Sequence, residues 1–66
     1  MKVKGEIGVS RLCFGDRYWA WIGRSVKGKE EAVYTAAIYK HERTAKRRAT
    51  QMAKAVWGND VEIEWE

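Results

Sequence analysis

The last six residues, Val61-Glu62-Ile63-Glu64-Trp65-Glu66, alternate apolar and acidic side chains without a break. Period-two alternation puts the apolar groups on one face of a strand and the carboxylates on the other. Such a strand cannot stand alone. It needs neighbours for its backbone hydrogen bonds and a layer over its apolar face. The remainder of a 66-residue chain must supply both.

Three earlier segments read as those neighbours. Val3, Gly5, Ile7 and Val9 alternate with Lys2, Lys4 and Glu6. Gly15-Asp16 then interrupts the chain before Tyr18-Trp19-Ala20-Trp21-Ile22, a segment rich in strand-forming aromatics. Val26-Lys27-Gly28-Lys29 reads as a turn, and Ala32 to Tyr39 as a third strand. Short connections favour antiparallel pairing, so these three form a meander. The period then changes. Ala45, Ala49, Met52, Ala53 and Val56 share one face of a helix, with Trp57 at its margin. Thr44 is one candidate for its start, and a position nearer His41 is the other. Gly58-Asn59 ends it.

The expectation is an α+β fold, a single βββαβ domain over residues 1–66. It has a three-stranded antiparallel meander with one helix packed on one face. A right-handed crossover then puts the C-terminal strand parallel beside strand 1. Lys2 and Lys4 would face Glu62, Glu64 and Glu66 across that pair, a modestly stabilising arrangement. The helix side would be lined by Val3, Ile7, Val9, Val61, Ile63 and Trp65. Which aromatic set of strand 2 joins them, Trp19 and Trp21 or Tyr18, Ala20 and Ile22, is left open by the pattern. Either way one sheet face stays uncovered, and such a face usually marks a partner surface.

Composition removes several classes of function. A single cysteine, Cys13, makes no disulfide framework, and reads as a small buried hydrophobe. No apolar run approaches the ~20 residues that span a bilayer, and no signal-peptide core is visible. An intracellular, cytoplasmic protein is expected, with no membrane partner. Catalysis is not expected. His41 is the one histidine, nothing orients it against Cys13, and no metal-ligand cluster or phosphate-binding glycine pattern occurs. No cofactor or metal is implied.

The informative feature is where the charge lies. The chain has 13 Lys+Arg against 9 Asp+Glu, a net of +4. Residues 40–54 hold Lys40, Arg43, Lys46, Arg47, Arg48 and Lys54 against Glu42, whereas residues 55–66 hold only Asp60, Glu62, Glu64 and Glu66. On a helical wheel Lys40, Arg43, Arg47 and Lys54 fall opposite the alanine face, with Gln51 beside them. A basic stripe opposite a packing face fits binding to nucleic-acid phosphates, and Arg47 and Gln51 are types that read base edges. A second surface is the sheet. Trp19, Trp21 and Tyr39 can stack on bases while Arg17, Arg24, Lys27 and Lys29 contact phosphates. The expected function is thus a small basic nucleic-acid-binding protein, DNA before RNA. The alternative is a non-enzymatic protein-interaction module or homodimer using the open sheet face, a description that includes small adaptors or inhibitors encoded by mobile elements.

Gly8-Val9-Ser10, the stretch Arg17 to Arg24 and the stretch Thr44 to Val56 carry one likeness. Three strands followed by an amphipathic helix resemble the sheet-plus-helix DNA-binding modules of the AP2 type, including the arm-binding domains of some tyrosine recombinases. The resemblance rests on element order over about three quarters of the chain. It implies a sheet laid in the major groove, with Arg11, Arg17, Trp19, Trp21 and Arg24 at the DNA. The acidic last strand departs from that pattern.

Overall fold

A computed structural model describes residues 1–12 and 15–66, with the side chain of Leu12 left aside. Cys13 and Phe14, and with them the expectation of a buried thiol, lie outside the described residues. The elements run β1 (Lys2–Leu12), β2 (Gly15–Val26), β3 (Lys29–Tyr34), α1 (Glu42–Trp57) and β4 (Glu62–Trp65). They build one four-stranded mixed sheet in the order β3-β2-β1-β4. β1 pairs antiparallel with β2, β2 antiparallel with β3, and β1 parallel with β4.

The turn between β2 and β3 sets the sheet's parity. Lys27 and Gly28 both have positive φ, at 51° and 79°. That is the mirror-image turn whose twist suits a two-residue hairpin. It pairs Val26 with Lys29 and carries the register on to Trp21 opposite Tyr34. β3 is shorter than the 32–39 stretch expected from residue types. After Tyr34 the backbone makes one more contact, Thr35 N–H to the Ala20 carbonyl at 2.9 Å, and Ala20 N–H donates to the Thr35 hydroxyl at 3.0 Å. The hydroxyl stands in for a backbone acceptor and ends the regular ladder. The chain rejoins β2 through an isolated bridge between Tyr39 and Tyr18.

Topology dictates where the helix goes. β3 and β4 are the two edges of the sheet, so α1 must carry the chain from one edge to the other. It crosses the central strands and packs chiefly on β2. His41, extended at φ −125° and ψ 137°, occupies the N-cap without a side-chain cap bond. The start is therefore at His41 and not at Thr44. Gly58, at φ 102°, closes the helix with its N–H on the Lys54 carbonyl.

The core is small. Val3, Ala20, Ile22, Ala45, Ala49, Ala53 and Val61 are buried, with Ile7, Tyr18, Val33, Tyr39, Trp57, Ile63 and Trp65 packed around them. Ala45, Ala49 and Ala53 are each 0% exposed, so the helix backbone rides close over β2. Trp65 lies across Gly5, where an added Cβ would come within 2.6 Å of its ring. Lys46 sits over that indole, 5.4 Å from the centroid. Of the residues expected on the helix side, Val9 is the exception. It is 46% exposed, because the β1–β2 hairpin runs on past the helix.

Candidate nucleic-acid and partner surfaces

Strand parity divides the candidate residues between two faces. Ile22 pairs with Val33 and Ala20 is wholly buried, so the even residues of β2 face the helix. Trp19 and Trp21 face the open side. Tyr34, opposite Trp21, joins them and is 69% exposed. Tyr39 does not. It bridges to Tyr18 and packs against the core, so its expected place beside Trp19 and Trp21 is taken by Tyr34.

The two indoles lie flat on the open face because glycines leave room for them. A side chain at Gly8 would collide with the Trp19 ring, and one at Gly23 with the Trp21 ring. Gly8 is the cross-strand partner of Trp19, while Gly23 follows Trp21 on the same strand. A Trp over a strand glycine restores packing that the glycine lacks. Both indoles are half-buried on a face that no other element covers.

The charges around them are mixed. Row by row, the open face carries Ser10 and Arg17; Gly8 and Trp19; Glu6, Trp21 and Tyr34; Lys4, Gly23 and Ala32; then Ser25 and Glu30. β4 adds Glu62 beside Lys2 and Glu64 beside Lys4, with Lys2 Nζ 3.6 Å from Glu64 Oε1. The glutamate row thus lies on the same face as the tryptophans. Arg17 is the single arginine on this face among the described residues. Its Nη1 donates to the Asp16 carbonyl at 2.8 Å.

Arg11 and Arg24, expected at DNA by the AP2-type resemblance, are on the helix side. Arg11 lies 3.8 Å from Asp16. Arg24 is opposite Glu31 and makes a 3.0 Å ion pair with it, while its guanidinium stacks over Trp57 at 5.6 Å. Trp57 Nε1–H donates to the same carboxylate at 2.9 Å. The Trp57 hydrogen bond, then those from Arg24, hold the Glu31 carboxyl below its usual range. Arg24 fastens the helix C-terminus to the β2–β3 hairpin. Lys27 and Lys29 are exposed at the hairpin tip.

The helix presents a different surface. Arg43, Arg47, Arg48, Gln51 and Lys54 are exposed, and Lys40 is exposed just before the helix begins. Arg43, Thr44 and Arg47 border a surface depression. None of these cations is in the ion pairs found among the described residues. Arg48 donates weakly to Gln51 at 3.4 Å. Arg43 and Arg47 are one turn apart, and like charges at that spacing destabilise a helix by about 0.2–0.5 kcal/mol. Arg43 also sits in the first turn, where the helix dipole disfavours a cation. Glu42 is the helix's one acidic residue.

The fold and these surfaces define a small α+β protein with an unpaired basic helix on one side and an aromatic, mixed-charge sheet on the other. No protein-family model matches the chain, and no curated protein or solved structure matches it. Among the described residues no group of three or more His, Cys, Asp or Glu could hold a metal ion, and no helix is long and apolar enough to cross a membrane.

Proposed function

We propose that this chain binds nucleic acid through the outer face of α1. The observation that carries the reading is the absence of compensation. Arg43, Arg47, Arg48 and Lys54 are exposed together with no carboxylate paired to them among the described residues. A helix that keeps mutually repelling cations, one of them at its unfavourable end, gains stability when an anionic backbone supplies the missing charge. Arg43 to Lys54 spans roughly 16 Å at 1.5 Å per residue. That length faces several phosphates of a duplex. Gln51, beside Arg47, is the side chain suited to a base edge.

The sheet is the weaker candidate for phosphates. Glu6, Glu30, Glu62 and Glu64 outnumber Lys2, Lys4 and Arg17 on its open side, and Arg24 is engaged with Glu31 and Trp57. A polyanion laid over the tryptophans would lie beside those carboxylates, Glu6 in the Trp21 row among them.

The test is a titration against a short labelled duplex and the matching single strands at several salt concentrations. With three to four phosphate contacts, affinity should fall roughly a hundredfold between ~50 and ~200 mM salt. The double variant R43E/R47E should weaken binding by at least about tenfold at the lower salt. Binding that survives this variant but is lost with Arg17→Glu would move the interface to the sheet. No salt-sensitive binding to any of the probes would end the reading.

A further inference from the structure

We propose that α1 reads the major groove of B-form DNA, with Arg47 and Gln51 as its two base-contacting residues. The proposal rests on the nucleic-acid reading of the same helix face. It goes beyond that reading by naming the duplex form, the groove and the side chains that discriminate between bases. Its basis is how the exposed residues are arranged around the helix.

The buried alanines fix the orientation of α1. Ala49 is the middle one of three and points into the sheet, so the outward direction lies opposite it. At 3.6 residues per turn, Arg47 and Gln51 fall about 20° to either side of that outward line. They form the crown of the exposed face. Arg43 and Lys54 lie about 40–60° from the line on the Arg47 side, and Arg48 about 80° from it on the Gln51 side. A helix in a major groove meets base edges with its crown and the two phosphate strands with its flanks. Here the crown holds the side-chain types that bind guanine and adenine in bidentate fashion, and each flank holds a cation. Arg48 donates to Gln51 Oε1 at 3.4 Å, which ties one flank to the crown. Glu42, the helix's one acidic residue, falls about 20° from the Ala49 direction, on the side turned away from the DNA.

The same face disfavours the other nucleic acids. No exposed residue of α1 is aromatic, and Trp57 is held by Glu31 and Arg24. Single strands are bound largely by stacking on aromatic side chains, and the helix offers none for it. In A-form RNA the major groove is too deep and narrow for side chains to read. The B-form major groove, about 12 Å wide, admits a helix of about 10–12 Å diameter. Arg47 and Gln51 are four residues apart, about 6 Å along the axis, which is about two base-pair steps of ~3.4 Å. The preferred site is therefore a guanine and an adenine with one base pair between them.

The experiment is selection by the full chain from a duplex DNA library with a randomised core. Titrations then compare the selected duplex, a shuffled duplex, the separated strands and an RNA duplex of the same sequence. The selected duplex should bind about tenfold or more tighter than each of the others. Arg47→Ala should relax the preference for guanine by about five- to a hundredfold, and Gln51→Ala the preference for adenine. Arg43→Ala should instead weaken all duplexes alike and reduce the salt slope by about one. A 7-deazaguanine at the selected position, which lacks the N7 acceptor, should weaken the wild type and leave Arg47→Ala unaffected. All three positions are exposed, and an unchanged melting temperature checks that each variant folds. Salt-sensitive binding that is equal for the selected and shuffled duplexes overturns the proposal and leaves the nucleic-acid reading standing. Tighter binding to the single strands or to the RNA duplex also overturns it, as does wild-type indifference to 7-deazaguanine. No salt-sensitive binding to any probe ends both.

Discussion

At the scale of single residues, the most connected group is Arg24, Glu31 and Trp57. One carboxylate accepts from an indole and from a guanidinium, and the guanidinium stacks on that indole. Residue types alone point to Arg24 as a phosphate ligand, and the register assigns it this fastening contact. The Glu31 carboxyl is held below its usual range first by Trp57 and then by Arg24. A carboxyl with a depressed native pKa stabilises the fold above its unfolded pKa, and that contribution is lost as pH falls through the native value. Thermal melts should therefore drop as pH is lowered below about 4, where a free glutamate takes up its proton. Glu31→Gln should lower the neutral-pH melting temperature and flatten that part of the pH profile. An unchanged profile in the variant would show that other carboxylates dominate the acid response.

At the scale of elements, the helix is defined by what it lacks. Three alanines wholly shielded from solvent set its distance from β2. Substituting Ala49→Leu inserts three carbons where the backbone of the helix meets the sheet, and should destabilise by about 1–3 kcal/mol through overpacking. Urea titration followed by tryptophan fluorescence measures it, with the slope unchanged if the fold survives. Ala55→Leu, at an exposed position of the same helix, is the control and should be nearly neutral. The open face depends on glycine in a comparable way. The flat placement of Trp19 and Trp21 requires hydrogen at Gly8 and Gly23. The glycines of the sequence pattern therefore shape the open face, although they carry no binding group themselves.

At the scale of the whole molecule, charge is sorted by layer. Basic residues cover the outer helix, and aromatics with mixed charge cover the sheet. Because the two surfaces lie on opposite sides of the molecule, Arg17→Glu should leave the salt-sensitive binding of a duplex nearly intact while R43E/R47E weakens it, as read by the same titration.

Much of the architecture follows from local pattern. The strict alternation from Val61 to Glu66 and the alanine period from Ala45 to Ala53 identify their elements, because burying one face requires those periods. The βββαβ order and the parallel placement of β4 beside β1 follow from short connections and one crossover. The Lys-Gly turn also makes the pairing of Trp21 with Tyr34 readable in principle, since a two-residue loop counts the register outward from Val26 and Lys29. What pattern could not decide was which face of β2 the helix would cover. Trp19 and Trp21 are as apolar as Tyr18, Ala20 and Ile22, so hydrophobicity ranks neither set above the other. The choice is steric. A helix carried on alanines leaves room beneath it for Ala20 and Ile22, whereas the indoles need the space above Gly8 and Gly23. Gly23 lies beside Trp21 on the same strand, but only the assembled sheet brings Gly8 to Trp19, and with that contact the exposed surface of the molecule is settled.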